Sequence, residues 1–237
     1  METIVLAGGL GTRLQSVVKN MPKPMADING KPFLEFVLNF LHQQGVKHAV
    51  LAVSYRYELI QQYFKNTYKS ISLSYSIEET PLGTGGALKQ ALNLCSEEEI
   101  FVCNGDTFFE VNLTKLLQCK HKSQESKLCV ALKKIRNFDR YGRVELDEKG
   151  FITAFREKEF CKIGLINGGI YLLNNTIFTN FTDEQALNSE KKFSFEDFLQ
   201  KYFKSLQARA CVFDDYFIDI GVPEDYGKAR MKFGGLR

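Results

Sequence analysis

Leu6-Ala7-Gly8-Gly9-Leu10-Gly11-Thr12-Arg13-Leu14 follows an apolar run that begins at Thr3, and Met21-Pro22-Lys23-Pro24-Met25 lies just beyond it. Glycines at such a point let the backbone turn sharply and bring bare N–H groups close to phosphate oxygens. Arg13 and Lys23 add positive charge that neither a turn nor a core requires, so work on nucleotide phosphates is the first expectation. A dinucleotide fingerprint would need glycine at position 14, where Leu14 stands, and the Gly-Lys-Ser/Thr ending of a P-loop is absent. Taken alone, the residues leave a phosphate cradle or a glycine turn with an incidental arginine.

The elements that must hold this loop alternate between strand and helix over the first half of the chain. Residues 3–7 form a continuous apolar run bounded by glycines, as in a strand buried on both faces. Pro32 suits the first turn of a helix running through Phe33, Leu34, Phe36, Val37, Phe40 and Leu41, and Gly45 stops it. Strands are expected at 49–53, 71–77, 100–103 and 128–132, with helices at 57–65, 84–94 and 113–119. In the helix at 57–65, Leu59, Ile60 and Phe64 point inward. This rhythm predicts an α/β fold, a doubly wound, mixed but mainly parallel sheet with right-handed crossovers.

After about residue 135 the rhythm changes. Residues 143–146 and 151–155, joined by Asp147-Glu148-Lys149-Gly150, read as a hairpin, and 166–173 returns as a strand. Ser194 suits the N-cap of a helix at 195–205, short strands follow at 210–213 and 217–219, and Pro223 starts a terminal helix. The expectation is one domain over 1–237, with 1–110 mainly nucleotide-binding and 111–237 carrying the hairpin.

Composition narrows the function classes. The formal net charge of +3 is small and the basic residues are scattered, which argues against nucleic acid as a partner. No apolar run has the length of a membrane span, and Met-Glu followed by a strand is no signal peptide. The six cysteines are widely spaced and contain no C-x-x-C, so reduced, buried thiols in a cytoplasmic protein are expected. His42, His48 and His121 form no cluster that would suggest metal or acid–base work.

Read together, the segments resemble the sugar-1-phosphate nucleotidylyltransferase family nearly end to end. The resemblance is carried by Gly8 to Leu14 and Pro22-Lys23-Pro24, then Glu79-Thr80-Pro81-Leu82-Gly83-Thr84-Gly85-Gly86-Ala87 and Asn104-Gly105-Asp106. Further on come Tyr141-Gly142, Glu157-Lys158, Asn167-Gly168-Gly169-Ile170-Tyr171 and Asp219-Ile220-Gly221-Val222-Pro223-Glu224-Asp225-Tyr226. Within the family, the short chain, Leu-Gly-Thr-Gly-Gly and Gly-Leu-Gly-Thr-Arg-Leu-Gln most resemble the D-glycero-α-D-manno-heptose 1-phosphate guanylyltransferases. With about ten residues after its Pro-Glu-Asp-Tyr motif, no C-terminal left-handed β-helix like that of many relatives is expected.

The resemblance implies attack by a sugar 1-phosphate oxygen on the α-phosphorus of a nucleoside triphosphate, GTP above others, with pyrophosphate leaving. Such a transfer is mostly positioning and charge neutralisation. Leu6, Ala7, Gly8, Gly9, Gly11, Thr12, Arg13 and Lys23 would hold the triphosphate, with Arg13 on the departing pyrophosphate and Lys23 at the α-phosphate. Pro81, Gly83 and Thr84 would border the base or ribose. Guanine presents N1–H and N2–H₂ donors, so an acidic acceptor, Glu78 or Glu79, would suit it. Asp106 and Asp219 look like ligands of Mg²⁺, a hard cation that prefers one or two carboxylates plus phosphate and water.

On the sugar side the match assigns Gly142, Glu157, Lys158, Asn167, Gly168 and Glu196. The chain departs from the pattern where Glu159 follows Lys158 in place of proline, where no tryptophan precedes Asp219 (Phe217 is nearby), and where Val222 replaces threonine. Alternatives are a mannose-1-phosphate guanylyltransferase, a uridylyl- or thymidylyltransferase on a hexose 1-phosphate, or a non-catalytic nucleotide-sugar-sensing subunit. A metal-dependent glycosyltransferase would show Asp-x-Asp where Asn104-Gly105-Asp106 stands. A homodimer is compatible with sheets of this kind.

Overall fold

The computed structural model describes residues 1–9, 21–179, 181 and 192–234; Gly11, Thr12 and Arg13 lie outside the described residues. The chain runs through β1 (Glu2–Leu6), β2 (Asp27–Ile28), β3 (Lys31–Pro32), α1 (Phe33–Gln43), β4 (His48–Val53), α2 (Tyr57–Phe64), β5 (Thr67–Tyr68) and β6 (Ile71–Ile77). It continues with α3 (Gly83–Ala91), β7 (Glu99–Asn104), β8 (Thr107–Phe109), α4 (Leu113–His121), β9 (Leu128–Phe138) and β10 (Gly142–Leu146). Then follow β11 (Ile152–Lys158), β12 (Cys161–Asn174), α5 (Phe195–Tyr202), β13 (Arg209–Phe213), β14 (Phe217–Asp219) and α6 (Pro223–Phe233).

β1 lies at the centre of the sheet beside β7, and its Ile4 and Val5 are buried on opposite faces. It pairs in parallel with β4 on one edge and β7 on the other, so Ile4 sits between Val50 and Val102, all three fully buried. β6 extends the parallel set beyond β4. Since successive strand residues point to opposite faces, Val5 enters a core built with α1, α2, α4 and α6, while Ile4 enters one built with α3 and α5. This is the doubly wound α/β arrangement, and it leaves the carboxyl ends of β1, β4, β6 and β7 on one side. α1 buries Phe33, Leu34, Val37, Leu38 and Leu41 at helical spacing, and Gly45, with φ +83°, turns the chain out of it.

Beyond β7 the sheet becomes antiparallel. β12 pairs with β9 along one edge; on its other edge it pairs with β10 at Ile166 and with β7 from Ile170 onward. The change of partner falls at an irregularity between Asn167 and Ile170, where Gly169 takes φ +72° and an added Cβ on Gly168 would strike the Phe109 ring. β13 then adds in parallel to β9. β9 and β12 are longer than the expected 128–132 and 166–173. Their added residues, such as Lys133, Arg136 and Ile163, are held by backbone pairing and are half-exposed or exposed, so no apolar run marks them. The helix expected at 84–94 ends at Ala91 and finishes in a 3₁₀ turn at Leu92–Leu94, and Leu59 of α2 is half-buried, where Ile60 and Phe64 are fully inward. Ser194 accepts the Asp197 N–H at the start of α5, and Pro223 opens α6.

All six thiols are free. Among the described residues, no helix is long and apolar enough to cross a membrane.

The start of β1 is tied down by Glu2, whose carboxylate accepts the N–H groups of Ser96 and Glu97, each at 2.7 Å, and lies 2.9 Å from His48 Nδ1. Burial disfavours its charge, but these hydrogen bonds prevail and hold the carboxyl below its ordinary 4.5. A carboxyl lowered by folding stabilises fully above its unfolded value and less as pH falls through the folded one. Glu2→Gln should therefore cost about 1.5–3 kcal/mol at neutral pH, with the difference in melting temperature from the parent shrinking below about pH 4. A constant difference across an acid titration of thermal melts would contradict this account.

Candidate active site

The carboxyl ends of the parallel strands open on a cavity of about 460 Å³, where open parallel sheets leave loops free for ligands. Leu6, Gly8 and Gly9 reach it from β1, Ala52 from β4, Glu78 from just beyond β6, and Asn104 and Asp106 from the end of β7. Pro81, Gly83, Thr84 and Ala87 supply the wall at the start of α3, and Lys192 and the Lys23–Pro24 turn complete it.

Lys23 is the electrostatic centre. Its side chain is buried, and Nζ lies 2.6 Å from Asp106 Oδ2 and 3.4 Å from Asp219 Oδ1. The two aspartates are 113 positions apart in sequence (219 minus 106) and meet because β8 pairs with β14, setting Thr107 opposite Asp219. The Ile220 N–H also donates to the Asp106 carbonyl at 3.1 Å, and the Gly221 N–H donates to Asp219 Oδ1 at 2.8 Å. Burial pushes the Asp219 carboxyl above its ordinary value and the Asp106 charge adds to this, while Lys23 and the Gly221 N–H pull it back.

Asp219 also lines a second hollow, about 650 Å³, with Arg140, Tyr141, Phe217, Asp225 and Lys228 among its walls. There Tyr141 meets the Phe217 ring edge-on at 6.2 Å, and Arg140 pairs with Asp225 at 2.5 Å, tying the turn between β9 and β10 to α6. The Lys23–Asp219 contact thus joins a wall of one hollow to a wall of the other.

Glu78 is buried, with Oε2 accepting the Leu82 N–H at 2.8 Å. Oε1 lies against Gly8, where an added Cβ would stand 2.7 Å from it and would push the carboxyl aside. Burial raises the Glu78 carboxyl, and the Leu82 N–H only partly offsets this. Glu79, the next residue, is exposed and borders a separate outer groove with Thr80 and Lys89. Of the two glutamates expected near a base, strand alternation turns only Glu78 into the cavity. Ala7 is buried behind the wall, its N–H donating to the Ala52 carbonyl at 2.8 Å.

The residues expected on the sugar side lie elsewhere. Gly142 pairs with Lys158 across β10 and β11, and Glu157 and Lys158 are exposed. Asn167 sits at the β12 irregularity, donating to the Tyr171 hydroxyl at 2.8 Å and accepting the Gly169 N–H at 3.0 Å, with Gly168 buried beside it. Glu196 accepts the Thr84 hydroxyl at 2.8 Å and the Ser194 hydroxyl at 3.1 Å, so α5 is bonded to the first turn of α3. None of these six is a wall of the first cavity.

Residues 2–234 match the nucleotidyl transferase family. The chain belongs to that family. Among curated relatives it is 57% identical over 226 residues to the D-glycero-α-D-manno-heptose 1-phosphate guanylyltransferase of Campylobacter jejuni, covering 95% of this chain and 97% of that one. It is 46% identical to the enzyme of the same description from Aneurinibacillus thermoaerophilus, with 98% of each chain covered. The crystal structure of HddC from Yersinia pseudotuberculosis complexed with GMP-PN superposes with a TM-score of 0.82 at 36% identity, over 98% of this chain and 99% of that one. Enzymes of the family generally use a divalent metal. No cluster of three or more His, Cys, Asp or Glu able to hold a metal ion occurs among the described residues. Asp106 and Asp219 nevertheless fit such an ion, because they offer hard oxygen donors that already share one cation, the Lys23 ammonium.

Sequence reasoning passed over Pro24, Ala52, Ala87, Asn104 and Lys192 as cavity walls. Asn104 was within reach, since it opens the Asn-Gly-Asp motif; Lys192 carries no local signal and arrives only through the fold. Because burial penalises the Glu78 carboxylate, its charge costs stability above the folded titration point and the cost fades as pH falls. Glu78→Gln should consequently melt at or above the parent temperature at pH 7, with the advantage disappearing toward about pH 4. A melting temperature several degrees lower at pH 7 would show that the carboxylate is a structural asset.

Proposed function

We propose that the protein transfers GMP from GTP to D-glycero-α-D-manno-heptose 1-phosphate, releasing pyrophosphate and forming a GDP-heptose. The observation that carries this reading is the Lys23 ammonium set between Asp106 and Asp219 at the junction of two hollows, in a chain similar to heptose 1-phosphate guanylyltransferases along nearly its whole length. The first cavity takes the nucleotide. Gly8 and Gly9 allow the triphosphate to approach the backbone, and Glu78 accepts from the N1–H and N2–H₂ edge of guanine. Thr84 borders the ribose, held by its bond to Glu196.

The sugar 1-phosphate enters from the side of Asp219; Gly142, Glu157, Lys158, Asn167 and Gly168, which line neither hollow, are carried over as its contacts from the family pattern. One oxygen of its phosphate attacks the α-phosphorus in line with the bond to pyrophosphate; the new P–O bond forms as that one breaks, and the electron pair leaves on pyrophosphate. Lys23 neutralises charge at the α-phosphate, and Arg13 neutralises it on the departing group. Such a contact is commonly worth about 3 kcal/mol in the transition state. Asp106 and Asp219 would hold Mg²⁺, which supplies Lewis-acid polarisation of the phosphoryl oxygens when bound.

Pyrophosphate release from GTP, ATP, CTP, UTP and dTTP, each paired with the heptose, mannose and glucose 1-phosphates, tests the assignment. GTP with the heptose 1-phosphate should lead by about tenfold or more in kcat/KM, which corresponds to about 1.4 kcal/mol. A lead by mannose 1-phosphate, or by UTP or dTTP, would move the reading to another sugar or base, and no turnover with any pair would favour a sensing subunit. Glu78→Gln should erode the preference for GTP over UTP and dTTP; an unchanged preference would remove Glu78 from base selection. Asp106→Asn should reduce kcat at least about a hundredfold while the melting temperature holds, and near-normal activity would remove the metal role.

A further inference from the structure

The acidic corner already contains a cation supplied by the chain. Lys23 comes from the interior, with its side chain about 9% exposed, whereas Asp106 and Asp219 are 32% and 30% exposed. Its Nζ sits on an oxygen of each carboxylate. The site is shaped to admit it: a Cβ on Gly221 would stand 2.9 Å from Asp219 Oδ1 and 3.3 Å from Lys23 Nζ. Two carboxylates brought together by strand pairing repel each other, and one ammonium cancels one of their two charges. A divalent cation competing for the pair therefore meets half the formal negative charge and an ammonium standing on its oxygens. Lys23 also lines the nucleotide cavity, so the phosphates that would occupy it offer the ammonium another set of anionic partners.

We propose that Lys23 is the resident cation of the Asp106–Asp219 pair in the nucleotide-free protein, and that the pair captures a divalent cation only when nucleotide phosphates draw the ammonium away. The inference rests on the reading of these aspartates as metal carboxylates. It gives Lys23 a role before the reaction: the ammonium offsets one of the two carboxylate charges until nucleotide arrives, and metal capture is coupled to nucleotide.

Mn²⁺ binding to the full chain without nucleotide, followed by the loss of the free-ion electron paramagnetic resonance signal, tests this. Lys23→Met should bind Mn²⁺ at least about tenfold more tightly than the parent, the scale of one charge–charge contact at a partly exposed site. Lys23→Arg, which keeps a cation, should bind as weakly as the parent, and Asp219→Asn added to Lys23→Met should abolish the gain. Lys23→Gln serves as the neutral variant if Lys23→Met lowers the melting temperature. Equal Mn²⁺ affinity in the parent and the neutral variants, lost on Asp219→Asn, would overturn the role of Lys23 while leaving the aspartates as metal carboxylates. The same titration with a GTP analogue carrying a non-cleavable α,β bridge separates the other failure. If Asp106→Asn and Asp219→Asn then bind Mn²⁺ as the parent does, the metal reading falls and the inference with it.

Discussion

Two carboxylates cannot stand side by side at a half-buried corner unless something positive stands with them. That constraint organises this fold. β8 and β14 are only three residues each, yet their pairing carries Asp219 from near the end of the chain to Asp106 at the end of a central strand. Lys23, pinned between prolines in a 3₁₀ turn, arrives from a third segment. The corner thus reports on the assembly of the whole domain core: β1 and β7 must be paired, α6 must close behind β14, and the turn at Lys23 must be seated. The same balance of charge that makes the corner tenable suits it to anionic substrates, because phosphate oxygens and carboxylates compete for the same cations.

Much of this could be read from the residues in order. The strand at Ile71–Ile77, where apolar residues alternate with serine, and the short one at Phe217–Asp219 match their expected limits. The Ser194 cap and the Pro223 start are local chemistry, and local chemistry is legible. β8 is not: Thr107-Phe108-Phe109 is too short to show a period, and its strand character comes from Asp219 and its neighbours alongside. β9 and β12 outrun their apolar segments for the same reason, since main-chain pairing needs no hydrophobic side chain.

Within the site, the glycines, Lys23 and the aspartates were visible as types and spacing, but their convergence was not. Glu78 and Glu79 were indistinguishable until the end of β6 fixed which side chain turned inward. Glu196 was expected to face a sugar hydroxyl; in the structure it accepts from Thr84, a link between residues 112 apart that no motif spacing could reveal. Arg140 is equally silent in sequence, an ordinary surface charge until the β9–β10 turn meets α6 and pairs it with Asp225.

β12 has a mechanical consequence. It is one unbroken strand of 14 residues, and along one edge it is bonded first to the hairpin that carries Gly142 and then to β7, which ends beside Asp106. The hairpin meets β12 at Arg143 opposite Ile166 and β7 is bonded to it from Ile170 onward, so the parts that would carry the two substrates are mounted on one strand. The Asn167–Ile170 irregularity, where the pairing of β12 with β9 shifts register, falls between the two attachments. A reaction that depends on in-line alignment would gain from such a mounting, because both substrates would be held from the same strand.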